Sequence, residues 1–116
     1  MNHKDLDVWK KSVDLVELIY DLTAKFPKEE KFGLVSQMRR AAVSVPSNIA
    51  EGAARKGDKE LVQFLMIVLG SLAELETQYL ISVRLKFNKS IADIEKIMIE
   101  VKKLLLGFRN YIVNKK

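Results

Sequence analysis

The chain has 116 residues, 48% of them hydrophobic and 30% charged, with a formal net charge of +5. That length suits one domain over residues 1–116 with its own core, leaves no room for two, and with this composition excludes a long disordered tail. Cysteine is absent, so disulfides, thiolate ligands and a cysteine nucleophile are ruled out, and a reducing, cytoplasmic compartment is expected.

The polar start, MNHKDLDVWKK, is not expected to act as a signal peptide, and the longest unbroken apolar run, Phe64 to Leu69, is far shorter than a membrane span. From Asp5 to Lys25 the spacing of Trp9, Val13, Val16 and Tyr20 predicts one apolar helical stripe. FPKEEKFG ends this helix, with Pro27 disfavouring helix at Phe26. A second helix is expected from Leu34 to Arg55. After KGD, Asp58 is placed to cap a third helix reaching Phe87. NKS turns the chain again, and SIAD at Ser90–Asp93 reads as a capping box. In the fourth helix, Ile91, Ile94, Met98, Val101, Leu105, Phe108 and Ile112 alternate three and four apart. No segment alternates like a strand. The expected fold is all-α: an antiparallel, up-down-up-down four-helix bundle.

The third helix is more apolar than one small core requires. Leu61, Phe64, Leu65, Val68, Leu72, Leu75 and Tyr79 form one face, and Val62, Leu69 and Leu80 widen it, with Met66 and Ile67 outside. Either this helix is central in the bundle or a second apolar strip meets another subunit; the second reading is preferred. Gly70, Ser71 and Ala73 offer small surfaces for close approach.

QMRRAAVSVPSNIAEGAAR, from Gln37 to Arg55, carries a proline in a helical pattern. Leu34, Met38, Ala41, Ala42, Val45, Ile49 and Gly52 share one side; Gln37, Arg40, Ser44, Ser47, Asn48, Glu51 and Arg55 share the other. The apolar phase continues across Pro46, which argues for one helix kinked there. A mid-helix proline costs roughly 3 kcal/mol, and a back-bond from the Ser47 hydroxyl is one expected compensation. The polar ladder leaves three readings open: a solvated face, a polar network within or between subunits, or a phosphate site built on Arg40 and Arg55.

This stretch resembles the signature of the 23S rRNA intervening-sequence proteins, four-helix bundles encoded, among other places, within inserts in bacterial large-subunit ribosomal RNA genes. LDVWKK, FPKEEKFGL and FLMIVLGSLAELET extend the resemblance through the third helix. KGDKE, where a Ser-containing turn is usual, and the bulky residues before Gly70 depart from it. The resemblance implies a ring of identical subunits, a homopentamer, with no enzymatic activity. A related branch, the accessory protein of diversity-generating retroelements, is a basic pentamer that binds nucleic acid and a reverse transcriptase. Arg39, Arg40, Ser44, Pro46, Asn48, Glu51, Gly52, Arg55, Gly70, Ser71, Glu74 and Thr77 match the signature and are expected to be structural or subunit-contact residues.

Catalytic chemistry finds little material. His3 is alone and sits in an expected frayed terminus; there is no Glu-x-x-His pair, phosphate loop or dinucleotide fingerprint. No metal or cofactor is expected. Glu51 and Glu74 lie in apolar sequence and are expected to pair, buried, with Arg40, Arg55 or Arg84. Positive charge concentrates in residues 34–57 and 89–116, so an RNA or DNA partner is plausible. Lys96 and Lys103 project from one side of the fourth helix, and Lys115 and Lys116 extend its end. With the aromatics mostly at core-like positions, binding would be phosphate-driven. The alternative is an adaptor ring that docks a protein partner, its charge serving solubility. No membrane partner is expected.

Overall fold

In the computed structural model, which describes residues 1–115, four helices carry the chain: α1 (Asp7–Thr23), α2 (Leu34–Ala53), α3 (Asp58–Arg84) and α4 (Ala92–Asn114). Short 3-10 turns occupy His3–Asp5 and Lys28–Glu30, and no strand occurs among the described residues. Each helix packs on its chain neighbours and α4 closes against α1, while the diagonal pairs keep their backbones apart. The four helices therefore stand at the corners of a square in chain order, in a rod of 49 × 24 × 20 Å. This is the all-α four-helix bundle. Its axis is filled by wholly buried aliphatics, among them Leu15, Ile19, Val45, Ile49, Leu65, Leu75, Val101 and Leu105. Each such burial stabilises the fold by about 1.5–3 kcal/mol.

The core line of α1 differs from the one expected. Val8, Ser12, Leu15, Ile19 and Leu22 face inward, whereas Trp9, Val13 and Val16 are half-buried flanks and Tyr20 is exposed. Ser12 conceals the line in the sequence. Its hydroxyl is fully buried and donates to the Trp9 carbonyl at 2.8 Å, satisfying itself within the turn. His3 is also better held than expected, its ring edge-on to Trp9 with centroids 5.1 Å apart in a turn capped by Asn2.

α2 keeps the expected apolar phase and runs as one helix through Pro46. The expected Ser47 back-bond is absent: that residue is exposed and makes no side-chain hydrogen bond among the described residues. Instead the proline ring is itself buried beside Val45 and Ile49, so apolar burial offsets part of the lost backbone bond. On either side, Ser44 Oγ donates to the Ala41 carbonyl and Asn48 Nδ2 to the Ser44 carbonyl, both at 2.8 Å.

Helix ends depart most from the sequence reading. Asp58 is the first residue of α3 rather than its cap, and its carboxylate meets Lys115 Nζ at 3.4 Å. α3 stops at Arg84, short of Phe87, with Lys86 at φ 64° and bonds from Lys86 N to the Val83 carbonyl and Phe87 N to the Ser82 carbonyl. This is a Schellman ending, with lysine where glycine is usual. The Ser90 capping box does not form either, for α4 begins at Ala92 with no side-chain cap. In its place the Tyr79 hydroxyl, from α3, accepts from Ile91 N at 2.7 Å and donates to Glu95 Oε2 at 2.6 Å. Burial and the neighbouring Glu95 carboxylate both push the Tyr79 phenol above its ordinary value.

α3 is long and apolar enough to cross a membrane by length and composition alone, although its longest unbroken apolar run is only Phe64 to Leu69. Leu61, Leu65, Val68, Leu72, Leu75 and Tyr79 are buried in the bundle.

Candidate interaction surface

The signature residues divide into those that build the bundle and those that face outward from it. Arg39 builds. Its Nε donates to Thr23 Oγ1 at 2.9 Å, its Nη2 reaches the Tyr20 carbonyl at 3.4 Å, and the guanidinium stacks 4.4 Å from the Tyr20 ring centre. A cation thus sits on the carbonyl end of α1, where the helix dipole favours one.

Gly52 and Arg55 build the other end of α2. A β-carbon on Gly52 would stand 2.8 Å from Phe64 Cβ and 3.1 Å from Leu61 Cδ1, so only glycine lets α2 and α3 approach this closely. The Arg55 guanidinium lies 4.9 Å from the Phe64 ring centre and 3.6 Å from Glu51. Contrary to expectation, Glu51 and Glu74 are both exposed. Glu51 pairs only with Arg55 on the surface, an interaction worth about 0.3–0.5 kcal/mol, and Glu74 pairs with no cation among the described residues.

Two signature motifs distant in sequence meet in one place. Between α2 and α3 runs a groove of about 500 Å³ whose walls include Arg40 and Ser44 from one motif and Ser71 and Glu74 from the other. Arg40 is exposed and makes no ion pair with Glu74 across it. Gln78 also lines the groove, is 7% exposed, and has a fully shielded Oε1 with no hydrogen-bond partner among the described residues. Sequence reasoning missed Gln78, because a glutamine among Thr77, Tyr79 and Leu80 gives no sign of burial.

The outward face of α3 is apolar beside this groove. Met66 is 50% and Leu80 54% exposed, with Gly70, Ala73 and Thr77 between them in steps of four, three, four and three. A β-carbon on Gly70 would touch nothing within 4 Å, and Thr77 Oγ1 merely returns to the Ala73 carbonyl. On the α4 side a second groove, about 340 Å³, is lined by Leu69, Ala73, Ile99 and Leu106 among others, Ile99 being 52% exposed.

The candidate lysines differ in how free they are. Lys96 and Lys103 are exposed on α4 and in no ion pair among the described residues; Lys103 shares a surface with Lys10, Lys11, Asp7, Asp14 and Glu100, and Glu100 holds Lys11 at 3.2 Å. Lys115 pairs with Asp58, and Lys116 lies outside the described residues. The aromatics are not all core-like either: Phe32 is 88% exposed with Lys31 Nζ 5.4 Å from its ring centre, and Tyr111 is exposed. Among the described residues, no three His, Asp or Glu side chains are grouped to hold a metal ion.

No curated protein matches the sequence. The family model of the 23S rRNA-intervening sequence proteins matches residues 4–107, which takes in α1, α2, α3 and all but the last turns of α4. The matched span includes both motifs of the α2–α3 groove and the apolar face beside it, and the chain belongs to the 23S rRNA-intervening sequence protein family.

Proposed function

We propose that the protein is a non-enzymatic assembly module whose copies close into a ring, a homopentamer, through the outward face of α3, and that the ring presents repeated basic surfaces to RNA or DNA. The half-exposed line Met66, Gly70, Ala73, Thr77, Leu80 carries this reading. Its alternation of four and three is the spacing of a helix-packing seam, and among the described residues it stays open to solvent. Small residues at its centre favour close approach of another helix. Repetition of the +5 charge around a ring would turn a modest charge into a strong field for phosphates.

Size by light scattering tests the assembly: a ring is expected, and a stable monomer at micromolar concentration contradicts it. Titration of labelled structured RNA at two salt concentrations tests the second half. Affinity should fall steeply as salt rises, and the double variant Lys96→Ala, Lys103→Ala should bind more weakly while assembling normally. Unchanged affinity would remove that stripe from the proposal. The ion pair that occupies Lys115 weighs against phosphate contact there and supports a second reading, a ring that docks a protein partner such as a reverse transcriptase. Absence of RNA binding even at low salt would support it.

A further inference from the structure

We infer that the end of the bundle where α1 turns into α2 and α3 into α4 holds single-stranded nucleic acid, with Phe32 stacked on an unpaired base and the cations around it on phosphates. The inference rests on the nucleic-acid reading and names a contact beyond Lys96 and Lys103. Phe26 and Phe87 pack with ring centres 5.4 Å apart, so the two connecting segments share one end of the rod. Residues 24–33 carry Lys25, Lys28 and Lys31 against Glu29 and Glu30, and residues 84–91 carry Arg84, Lys86 and Lys89 with no acid. Lys25 shares a hollow with Asp21 and Asp93 and is set aside. Glu30 is turned to its own backbone, its Oε1 accepting from Leu34 N at 3.2 Å. The other five cations are exposed and in no ion pair among the described residues. Phe32 stands among them, the most exposed large hydrophobic residue at 88%, with Lys31 Nζ 5.4 Å from its ring centre. A slack loop does not account for that exposure. Bonds from Glu30 N, Lys31 N and Gly33 N to the Pro27, Lys28 and Glu30 carbonyls wind the segment into successive turns. The same segment buries its other aromatic, Phe26, and holds only Phe32 out.

The chemistry of this end identifies the occupant. Within the two segments, five free cations face the single free carboxylate of Glu29, which suits a run of phosphates, and a bare aromatic face suits a base. A base inside a duplex has both faces covered by its neighbours, so only an unpaired one can stack on Phe32. An acidic peptide would use the cations and leave the ring idle. A lipid surface calls for a broader apolar face than Phe32 and the half-exposed Leu85 provide. The α3 seam runs along the side of the rod and leaves its end open. A ring joined along the sides, its copies turned alike by cyclic symmetry, gathers this end of every copy on one rim.

The test titrates the full chain into labelled oligo(U), oligo(dT) and a duplex of equal length, following anisotropy across a salt series, with light scattering and circular dichroism on every variant. The single strands should bind more tightly than the duplex. Phe32→Ala should weaken their binding about tenfold and leave its salt dependence unchanged, since no charge is lost. The double variant Lys28→Ala, Lys89→Ala should flatten the salt dependence, by roughly 0.7 in logarithmic slope for each phosphate contact removed. Phe32→Trp should bind like wild type, with its new indole quenched by the bound strand; Trp9, the sole native tryptophan, lies at the start of α1, toward the other end of the rod. Wild-type affinity in both Phe32→Ala and the lysine pair would overturn the inference while leaving the nucleic-acid reading intact. So would duplex binding as tight as single-strand binding. Loss of assembly in Phe32→Ala would make the ring a subunit contact and overturn it too. Should the same substitutions abolish binding to phosphatidylserine vesicles and spare the oligonucleotides, the end would be a membrane contact instead. A wild type that binds no oligonucleotide at low salt would sink both readings.

Discussion

Replacing Gly52 with alanine sets two effects of opposite sign against each other. Alanine in a helix interior is favoured over glycine by about 0.8–1 kcal/mol. The new β-carbon, however, would meet Phe64 Cβ at 2.8 Å and Leu61 Cδ1 at 3.1 Å. Leu61 can turn its methyl aside. Phe64 Cβ is fixed to the α3 backbone, so relief requires α2 and α3 to move apart along the most extensive helix pair in the bundle. Overpacking of this kind costs roughly 1–3 kcal/mol, and a backbone-anchored contact belongs near the top of that range. The net expectation is a loss of about 1–2 kcal/mol, which lowers Tm by on the order of 5 °C for a domain of this size. Urea unfolding followed by far-ultraviolet circular dichroism, at two protein concentrations to separate out association, measures it. Gly70→Ala is the internal control: with nothing within 4 Å, it should stabilise the isolated chain by up to about 1 kcal/mol. If Gly52→Ala were as stable as wild type, the close approach would not be what requires glycine, and the reasoning would fail.

Tyr79→Phe removes the hydroxyl that joins Ile91 N and Glu95, and thermal unfolding should show a loss of about 1–2 kcal/mol. Because the phenol is held above its ordinary 10.0, the folded state keeps this proton more tightly than the unfolded chain. Its contribution is therefore complete below about pH 10 and lost as pH rises through the raised value; ultraviolet titration should reveal a late phenolate that the Phe variant lacks. Arg39→Ala should cost about 1–2 kcal/mol through the lost α1 contacts, and Arg39→Lys should recover less than half, since an ammonium does not reproduce the forked, stacked geometry. Lys86→Gly should stabilise by about 0.5–1 kcal/mol in chemical denaturation, because glycine adopts φ 64° without strain.

Where a periodic apolar pattern was unambiguous, the structure could be read in advance. Ile94, Met98, Val101, Leu105 and Ile112 of α4 face inward as their spacing requires, and α2 keeps its phase through the proline. In α1 the same logic slipped by one residue, because two lines of similar hydropathy lie side by side and the true one contains Ser12. Helix ends were the least legible. The partner of Ile91 N is a hydroxyl twelve positions away on another helix, and the αL residue ending α3 is a lysine, so neither gives a local signal. Of the surface, the polar ladder was visible as a pattern, but its meeting with Ser71, Glu74 and Gln78 depends on how α2 and α3 pack. Paired lysines were invisible for the same reason: Asp58 and Lys115 are far apart in the chain.

α4 rests on α1 and α3 through smaller contacts than those joining α2 to α3, and the Tyr79 hydroxyl clips its beginning to α3. Amide protons should therefore exchange in two tiers, those of α4 through a partial opening and those facing each other across α2 and α3 only on global unfolding. Opening of that kind would bare Ile94, Met98 and Val101 together with the faces they leave. The last helix is then the piece most readily traded between neighbouring molecules.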